Sequence, residues 1–144
     1  MGSAHMRIML ADDDSDDRDL FTEAVNEHVA DVDSVWNGVQ LMKVLHQKEE
    51  LPDLIFLDLN MPEKGGKECL FEIRNDDRLK HIPVIIYSTS SSKKDIEETY
   101  ELGASLYITK PNSFADLRKT IKGILNLDWK QAGEFRQKNF VYTA

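Results

Sequence analysis

Short apolar runs alternate along the chain with segments whose apolar residues recur every three or four positions. Four of the runs contain almost no polar residues, which is typical of parallel strands buried on both faces of a sheet. Each of these runs precedes a segment at helical spacing, in which the apolar residues define one face of a helix. The four predicted strands are residues 8–11, 54–57, 84–87 and 106–108.

A fifth and weaker strand is predicted over residues 32–36, and a helix from about 39 to 47 follows it. Five strands that alternate with five helices predict an α/β fold, a doubly wound (βα)5 flavodoxin-like three-layer sandwich. The order 2-1-3-4-5 for its parallel sheet follows from the doubly wound scheme, since periodicity alone does not determine order. The apolar faces of the remaining four helices include Leu20 and Ala24, Leu70 and Ile73, Ile96 and Tyr100, and Leu117 and Ile121.

The chain of 144 residues has the length of one domain. Residues 1–6 resemble an expression scar and are not expected to belong to the fold. The predicted domain therefore spans residues 7–126. Residues 127–144 are expected to be a carboxyl-terminal extension that is too short for a separate output domain. Its aromatic residues are expected to pack back on the domain or to join a homodimer contact, and both alternatives stay open. These residues are Trp129, Phe135, Phe140 and Tyr142.

Charge and cysteine content narrow the function classes. The formal net charge is −8, whereas direct binding to DNA needs clustered Lys and Arg, so nucleic acid is not an expected partner. No apolar run approaches the roughly 20 residues that cross a bilayer, and no signal peptide is evident, so no membrane association is expected. The one cysteine, Cys69, fits a reducing compartment, and a cytoplasmic location is predicted.

Polar residues follow four of the predicted strands at the points where the strands end. Residues 12–14 are three aspartates after the first strand, Asp58 follows the third, Ser88 ends the fourth, and Lys110 follows the fifth. Ligands of an open parallel sheet bind outside the carboxyl ends of its strands, near the point where strand order reverses. The fold would therefore bring these distant side chains into one crevice.

Carboxylates gathered in one crevice repel one another unless they are protonated or a cation is bound. Mg²⁺ takes one or two carboxylates, several waters and a phosphate, so an ion held by Asp13 and Asp58 would leave room for a phosphoryl group. Ser88 could donate to a phosphoryl oxygen, and Lys110 could offset its charge. Asp58 is the candidate nucleophile, because a carboxylate can form an aspartyl phosphate.

Four segments resemble the signature segments of bacterial response-regulator receiver domains in two-component phosphorelay signalling. They are residues 10–14, 56–62, 83–88 and 110–111. The resemblance runs from about Arg7 to Asn126 with the family's order and spacing. Within the family the chain looks most like chemotaxis-regulator-like, single-domain regulators that begin Asp-Asp-Asp-Ser-Asp-Asp-Arg. Some of these partner phytochrome-type kinases.

The resemblance implies that Asp58 accepts a phosphoryl group from the phosphohistidine of a sensor histidine kinase or of a phosphotransfer protein. It further implies that Asp12 and Asp13 form the acidic pair for Mg²⁺, together with Asp58 and the backbone carbonyl of Asn60. The implied result is a phosphoprotein that switches its contacts with a downstream protein target. It would not be a turnover enzyme, and at most it would dephosphorylate itself slowly.

The resemblance also assigns residues that would respond to the phosphate. Ser88 stands at the hydroxyl switch position, Lys110 contacts the phosphate, and Tyr107 stands at the aromatic switch position. The bond between Lys110 and Pro111 is expected to be cis, and X-Pro bonds pay little for that isomer.

The same residues allow other interpretations. The acids Asp14, Asp16 and Asp17 precede or open a helix, and a capping role is preferred for them. A metal-dependent phosphatase with an aspartyl nucleophile would need a second acid two residues after Asp58, where Asn60 stands. A pure interaction module that is never phosphorylated remains a third class. Binding of flavin mononucleotide is disfavoured, since three carboxylates after the first strand would repel a phosphate.

Overall fold

A computed structural model describes residues 5–143, apart from the Phe135 side chain. The five strands are β1 (Met6–Ala11), β2 (Ala30–Val35), β3 (Leu54–Leu57), β4 (Val84–Ser88) and β5 (Leu106–Thr109). The helices are α1 (Ser15–Val25), α2 (Gly38–Gln47), α3 (Gly66–Arg74), α4 (Lys93–Glu101), α5 (Phe114–Leu125) and α6 (Ala132–Lys138), with a 3-10 turn over Trp129–Gln131.

All neighbouring strands pair in parallel, in the order β2-β1-β3-β4-β5. The predicted fold class and strand order are therefore confirmed. The outer strand β2 is the least buried of the five, which explains its weak apolar signal. Its bounds differ from the predicted residues 32–36 because Ala30 and Asp31 pair with the first two residues of β1.

Two separate cores cover the two faces of the sheet, because successive residues of a strand point to opposite faces. Ile55 and Leu57 of β3 pack in the core that α2 and α3 close. Leu54 and Phe56 pack in the core that α1 and α5 close, where the rings of Phe21 and Phe56 meet edge to face at 4.8 Å. Burial on both faces explains why the strands appear in the sequence as continuous apolar runs.

The two ends of the described chain compare differently with the sequence prediction. Met6 belongs to β1 and its N–H donates to the Val29 carbonyl, so the sheet begins inside the predicted scar; residues 1–4 lie outside the described residues. At the other end Trp129, Phe140 and Tyr142 pack against the two cores, which confirms packing back on the domain. None of the helices in residues 5–143 has the length and apolar character needed to cross a bilayer.

Candidate functional site

The register of β1 and β3 sets the first two acids of the site side by side. Ala11 pairs with Leu57, so Asp12 and Asp58 follow at the same level of the carboxyl edge. The N–H of Asp58 donates to the Ala11 carbonyl at 2.9 Å, and the N–H of Asp12 donates to the Val35 carbonyl at 3.0 Å. These bonds continue the strand ladders by one residue and fix both backbones.

Carboxylate oxygens of Asp12, Asp13 and Asp58 all lie within 4.8 Å of one another, close enough to share one cation. Asp12 is fully buried, Asp58 is 6% exposed and Asp13 is exposed, so the cluster opens to solvent on one side. The Asp12 Oδ2 atom is buried without a hydrogen bond from any described residue. A donor set made only of carboxylate oxygens suits a hard divalent cation.

Lys110 joins this cluster from the end of β5. Its ammonium lies 2.8 Å from Asp12 Oδ2, 3.2 Å from Asp58 Oδ2 and 2.8 Å from Asp17 Oδ2. The contact with Asp12 is an ion pair without hydrogen-bond geometry. The N–H of Lys110 donates to the Ser88 carbonyl at 2.7 Å, which holds the base of the side chain beside β4.

Burial and the contacts of the Lys110 ammonium set the pKa values of the site. Burial raises the pKa of Asp12 to about 6, and the Lys110 ammonium and the Asp14 N–H act in the opposite direction. Burial works to lower the pKa of Lys110, but the Asp12 and Asp17 carboxylates outweigh it and raise that pKa above its ordinary value. Lys110 is therefore charged at neutral pH, and its ammonium faces three carboxylates.

Asp17 belongs to the site, which sequence reasoning missed. The capping role preferred for the acids of α1 is confirmed for Asp14, whose carboxylate accepts from the Asp17 N–H at 3.0 Å. The Asp17 carboxylate itself turns to Lys110 at 2.8 Å. A signal was available, because Asp17 lies in the first turn of α1, shortly after the aspartates that follow β1.

Ser88 and Tyr107 meet through a third residue, Ser90, in the loop between β4 and α4. Ser88 is fully buried, and its hydroxyl accepts from the Ser90 N–H at 3.1 Å. Tyr107 is fully buried, and its hydroxyl donates to the Ser90 carbonyl at 2.7 Å. The structure thus links both predicted switch residues to one loop residue, Ser90.

The same loop is tied to α3 and α4 through Asp95. The Asp95 carboxylate accepts from the Lys67 ammonium at 2.7 Å and from the Ser90 hydroxyl at 2.6 Å. These two donors lower the pKa of Asp95 from its ordinary value of 3.8 to about 2. Lys67 also reaches Glu98 at 3.1 Å, so an ammonium on α3 bridges two acids of α4.

Asp95→Asn is expected to lower the free energy of unfolding near neutral pH by about 1 kcal/mol, because the charge-assisted bonds are lost. A lowered pKa stabilises the fold above pH 3.8, and this contribution is lost as the pH falls towards 2. Urea unfolding of wild type and variant should therefore converge in acid. Asp77→Asn is the control, since that carboxylate is 99% exposed. A difference that is constant from pH 7 to pH 2.5 would contradict the assignment.

The loop after β3 is closed by a backbone contact that requires glycine. The N–H of Gly66 donates to the Leu59 carbonyl at 3.0 Å. A Cβ on Gly66 would overlap the Asp58 carbonyl oxygen and lie 2.9 Å from Leu59 Cα. The first turn of α3 therefore rests against the backbone of Asp58. Asn60 lies in this loop and is exposed.

One expected feature of the site is wrong. Every peptide bond in residues 5–143 is trans, so the bond between Lys110 and Pro111 is not cis. The trans isomer is the intrinsically favoured one by about 0.5–1 kcal/mol. With the trans isomer the Lys110 ammonium already contacts Asp12 and Asp58, so these contacts do not require the less stable cis isomer.

The chain is similar to known proteins along most of its length. The family model described as the response regulator receiver domain matches residues 8–122. The response regulator Rcp1 of Synechocystis sp. is 36% identical over 124 residues, which cover 81% of this chain and 84% of that protein.

Two solved structures are similar along most of their length. The phosphorylated cyanobacterial phytochrome response regulator RcpA is 40% identical with a TM-score of 0.80, covering 84% of this chain and 91% of that one. The Mn²⁺-bound form of response regulator Rcp1 is 31% identical with a TM-score of 0.76, covering 96% and 99%. The fold, the matched span and these relatives together show that the chain belongs to the family of response regulator receiver domains, the signalling switches of two-component systems.

Proposed function

We propose that Asp58 is the residue of this receiver domain that accepts the phosphoryl group. One observation supports the assignment above all others. The Asp58 carboxylate ends a central strand, lies within 4.8 Å of the carboxylates of Asp12 and Asp13, and is 3.2 Å from the Lys110 ammonium. Asp58 thus has beside it both acids that can hold a cation and the ammonium of Lys110.

The proposed donor is the phosphohistidine of a sensor histidine kinase or of a phosphotransfer protein. A carboxylate oxygen of Asp58 attacks the phosphorus, the bond from phosphorus to the imidazole nitrogen breaks, and its electron pair stays on the imidazole. The product is an acyl phosphate on Asp58. Lys110 offsets charge on the phosphoryl oxygens throughout, since its ammonium is already held at the acceptor.

We further propose that Asp12, Asp13, Asp58 and the backbone carbonyl of Asn60 hold Mg²⁺. When bound, this ion would supply charge neutralisation for the phosphoryl group. The chain's own contribution is to present an oxygen-only donor set, with Asp12 Oδ2 buried and without a hydrogen bond. Binding of a divalent cation there would favour the charged form of Asp12 and so oppose the effect of burial, which raises the pKa of Asp12.

The proposed output is a change in protein contacts. A phosphoryl group on Asp58 would draw the Ser88 hydroxyl away from the Ser90 N–H, and the Tyr107 ring would respond because its hydroxyl is bonded to Ser90. A downstream protein would then bind the altered surface with different affinity. The proposed compartment is the cytoplasm, where a kinase or phosphotransfer partner would present its phosphohistidine.

We propose a switch without steady turnover. Asn60 stands two residues after Asp58, and its amide cannot exchange a proton as a general acid would. Hydrolysis of the acyl phosphate would therefore be slow self-dephosphorylation. Steady turnover on an unrelated phosphomonoester would contradict this part of the proposal.

The test is labelling of the purified chain with acetyl phosphate, followed by intact mass measurement. We expect the addition of one phosphoryl group that requires Mg²⁺, is suppressed by a chelator and is removed by hydroxylamine, which cleaves acyl phosphates. A label that survives hydroxylamine would place the phosphate on a hydroxyl group and refute the assignment.

A further inference from the structure

The last described residues fold back over the free edge of β5. We call residues 136–143 the strap. Its backbone pairs with one residue of the strand: the Tyr107 N–H donates to the Phe140 carbonyl at 2.9 Å, and the Tyr107 carbonyl accepts from the Tyr142 N–H at 2.9 Å. Val141 lies opposite Tyr107 as a parallel bridge. The strap therefore covers the edge of the sheet at the predicted aromatic switch residue.

Side chains of the strap extend this contact to α4. The Phe140 ring packs edge to face on Tyr100 at 5.1 Å and lies 6.3 Å from the Tyr107 ring. The Arg136 guanidinium lies 3.8 Å from the centre of the Tyr100 ring. It also donates to the Ala104 carbonyl at 2.7 Å and to the Tyr100 carbonyl. These contacts attach the strap to both β5 and the end of α4.

The opposite side of Tyr107 leads to the phosphorylation site. Its hydroxyl donates to the Ser90 carbonyl at 2.7 Å, and the Ser90 N–H donates to the Ser88 hydroxyl at 3.1 Å. The Ser88 carbonyl accepts from the Lys110 N–H at 2.7 Å, and the Lys110 ammonium contacts Asp58 at 3.2 Å. A chain of contacts through Lys110, Ser88 and Ser90 therefore connects Asp58 with Tyr107. Tyr107 itself contacts the strap.

We propose that the strap is an intramolecular brake on the phosphorylation site. Its docking stabilises the observed position of Tyr107, and phosphorylation of Asp58 loosens it. The brake rests on the proposed function of Asp58. New phosphoryl oxygens compete for the Ser88 hydroxyl and for Lys110. The Ser90 N–H then loses its acceptor, and the loop between β4 and α4 shifts. The Tyr107 hydroxyl in turn loses its bond to the Ser90 carbonyl.

Coupling between two sites is reciprocal, so the strap must affect the site by the same factor. The strap packs on Tyr107 in the arrangement where the Ser88 hydroxyl serves Ser90. Weakening the strap should therefore favour the arrangement in which that hydroxyl is free for a phosphoryl oxygen. Phe140→Ala is expected to bind beryllium fluoride, a phosphoryl analogue, about fivefold more tightly in the presence of Mg²⁺.

The experiment uses the full chain and two readouts. Hydrogen exchange at the Tyr142 amide reports docking of the strap, since that N–H is bonded to Tyr107. We expect its exchange to accelerate about tenfold when beryllium fluoride and Mg²⁺ are added to the wild type. Arg136→Ala is a second variant that weakens the strap without touching Tyr107. Gln137→Ala, at an exposed residue of the strap next to Arg136, is the matched control and should behave as the wild type.

The outcomes separate the brake from the function on which it rests. Binding of beryllium fluoride to the wild type but not to Asp58→Asn would support the proposed function. Given that binding, unchanged exchange at Tyr142 together with unchanged affinity in Phe140→Ala and Arg136→Ala would overturn the brake alone. Absence of binding to the wild type would overturn both. A dimer by light scattering, with Tyr142 exchange that depends on protein concentration, would overturn the intramolecular assignment.

Discussion

Asp58→Asn is expected to reduce phosphoryl uptake from acetyl phosphate or a histidine kinase to background. The amide that replaces the carboxylate has no nucleophilic oxygen able to form an acyl phosphate. Its size is the same, and its oxygen can still accept from the Lys110 ammonium, which lies 3.2 Å from Asp58 Oδ2 in the wild type. The fold should therefore survive while the chemistry is lost. Intact mass after incubation with donor and Mg²⁺ measures the effect.

The matched control for this prediction is Asp19→Asn. Asp19 lies on α1, and its side chain is exposed. Its substitution removes the same charge from the chain without touching the site, so labelling should equal that of the wild type. Full labelling of Asp58→Asn, with hydroxylamine sensitivity retained, would show that another carboxylate is the acceptor.

Lys110→Met is expected to slow phosphoryl uptake by on the order of 100-fold, the usual cost of removing one group that stabilises developing charge. In the described residues its ammonium is the cation that contacts Asp12, Asp17 and Asp58, at 2.8, 2.8 and 3.2 Å. Methionine keeps much of the apolar length of the side chain and removes only the charge. The rate of labelling by acetyl phosphate at saturating Mg²⁺ is the measurement.

Lys110→Met should also be less stable, and more so at pH 7 than at pH 5. Burial already raises the pKa of Asp12 to about 6, above its ordinary value of 3.8, so protonation of this acid favours the folded state. The stability that protonated Asp12 contributes is lost as the pH rises through 6. Without the Lys110 ammonium the charged Asp12 loses its ion-pair partner, so the decrease in stability is larger. Lys43→Met, at an exposed lysine of α2, is the control. A labelling rate equal to that of the wild type would contradict the role of Lys110.

The sheet was predictable because burial on both faces leaves a strong mark in the sequence. Residues 54–57 and 84–87 read as continuous apolar runs, and the structure buries every side chain in them. The gathering of Asp12, Asp58 and Lys110 was predictable for a related reason. Parallel strands direct all their carboxyl ends to one edge, so residues just after distant strands must meet there.

Features that depend on side-chain direction or on long-range packing were not predictable. The sequence favours a helix-capping role for the acids of α1, and only the folded chain brings the Asp17 carboxylate to Lys110. The trans bond before Pro111 is decided by a small energy difference that the local sequence does not resolve. Met6 joins β1 only because the Val29 carbonyl lies beside it to accept its N–H.

The sequence by itself determined the succession of strands and helices along the chain, the two-faced burial of the sheet and the set of charged groups at its carboxyl edge. These follow from periodicity and from the geometry common to all parallel sheets. The tertiary structure alone decided which acids Lys110 contacts, how Ser90 links Ser88 to Tyr107, and where Phe140 docks. Those contacts join residues far apart in the chain through single hydrogen bonds and ring contacts, which leave no periodic signal in the sequence.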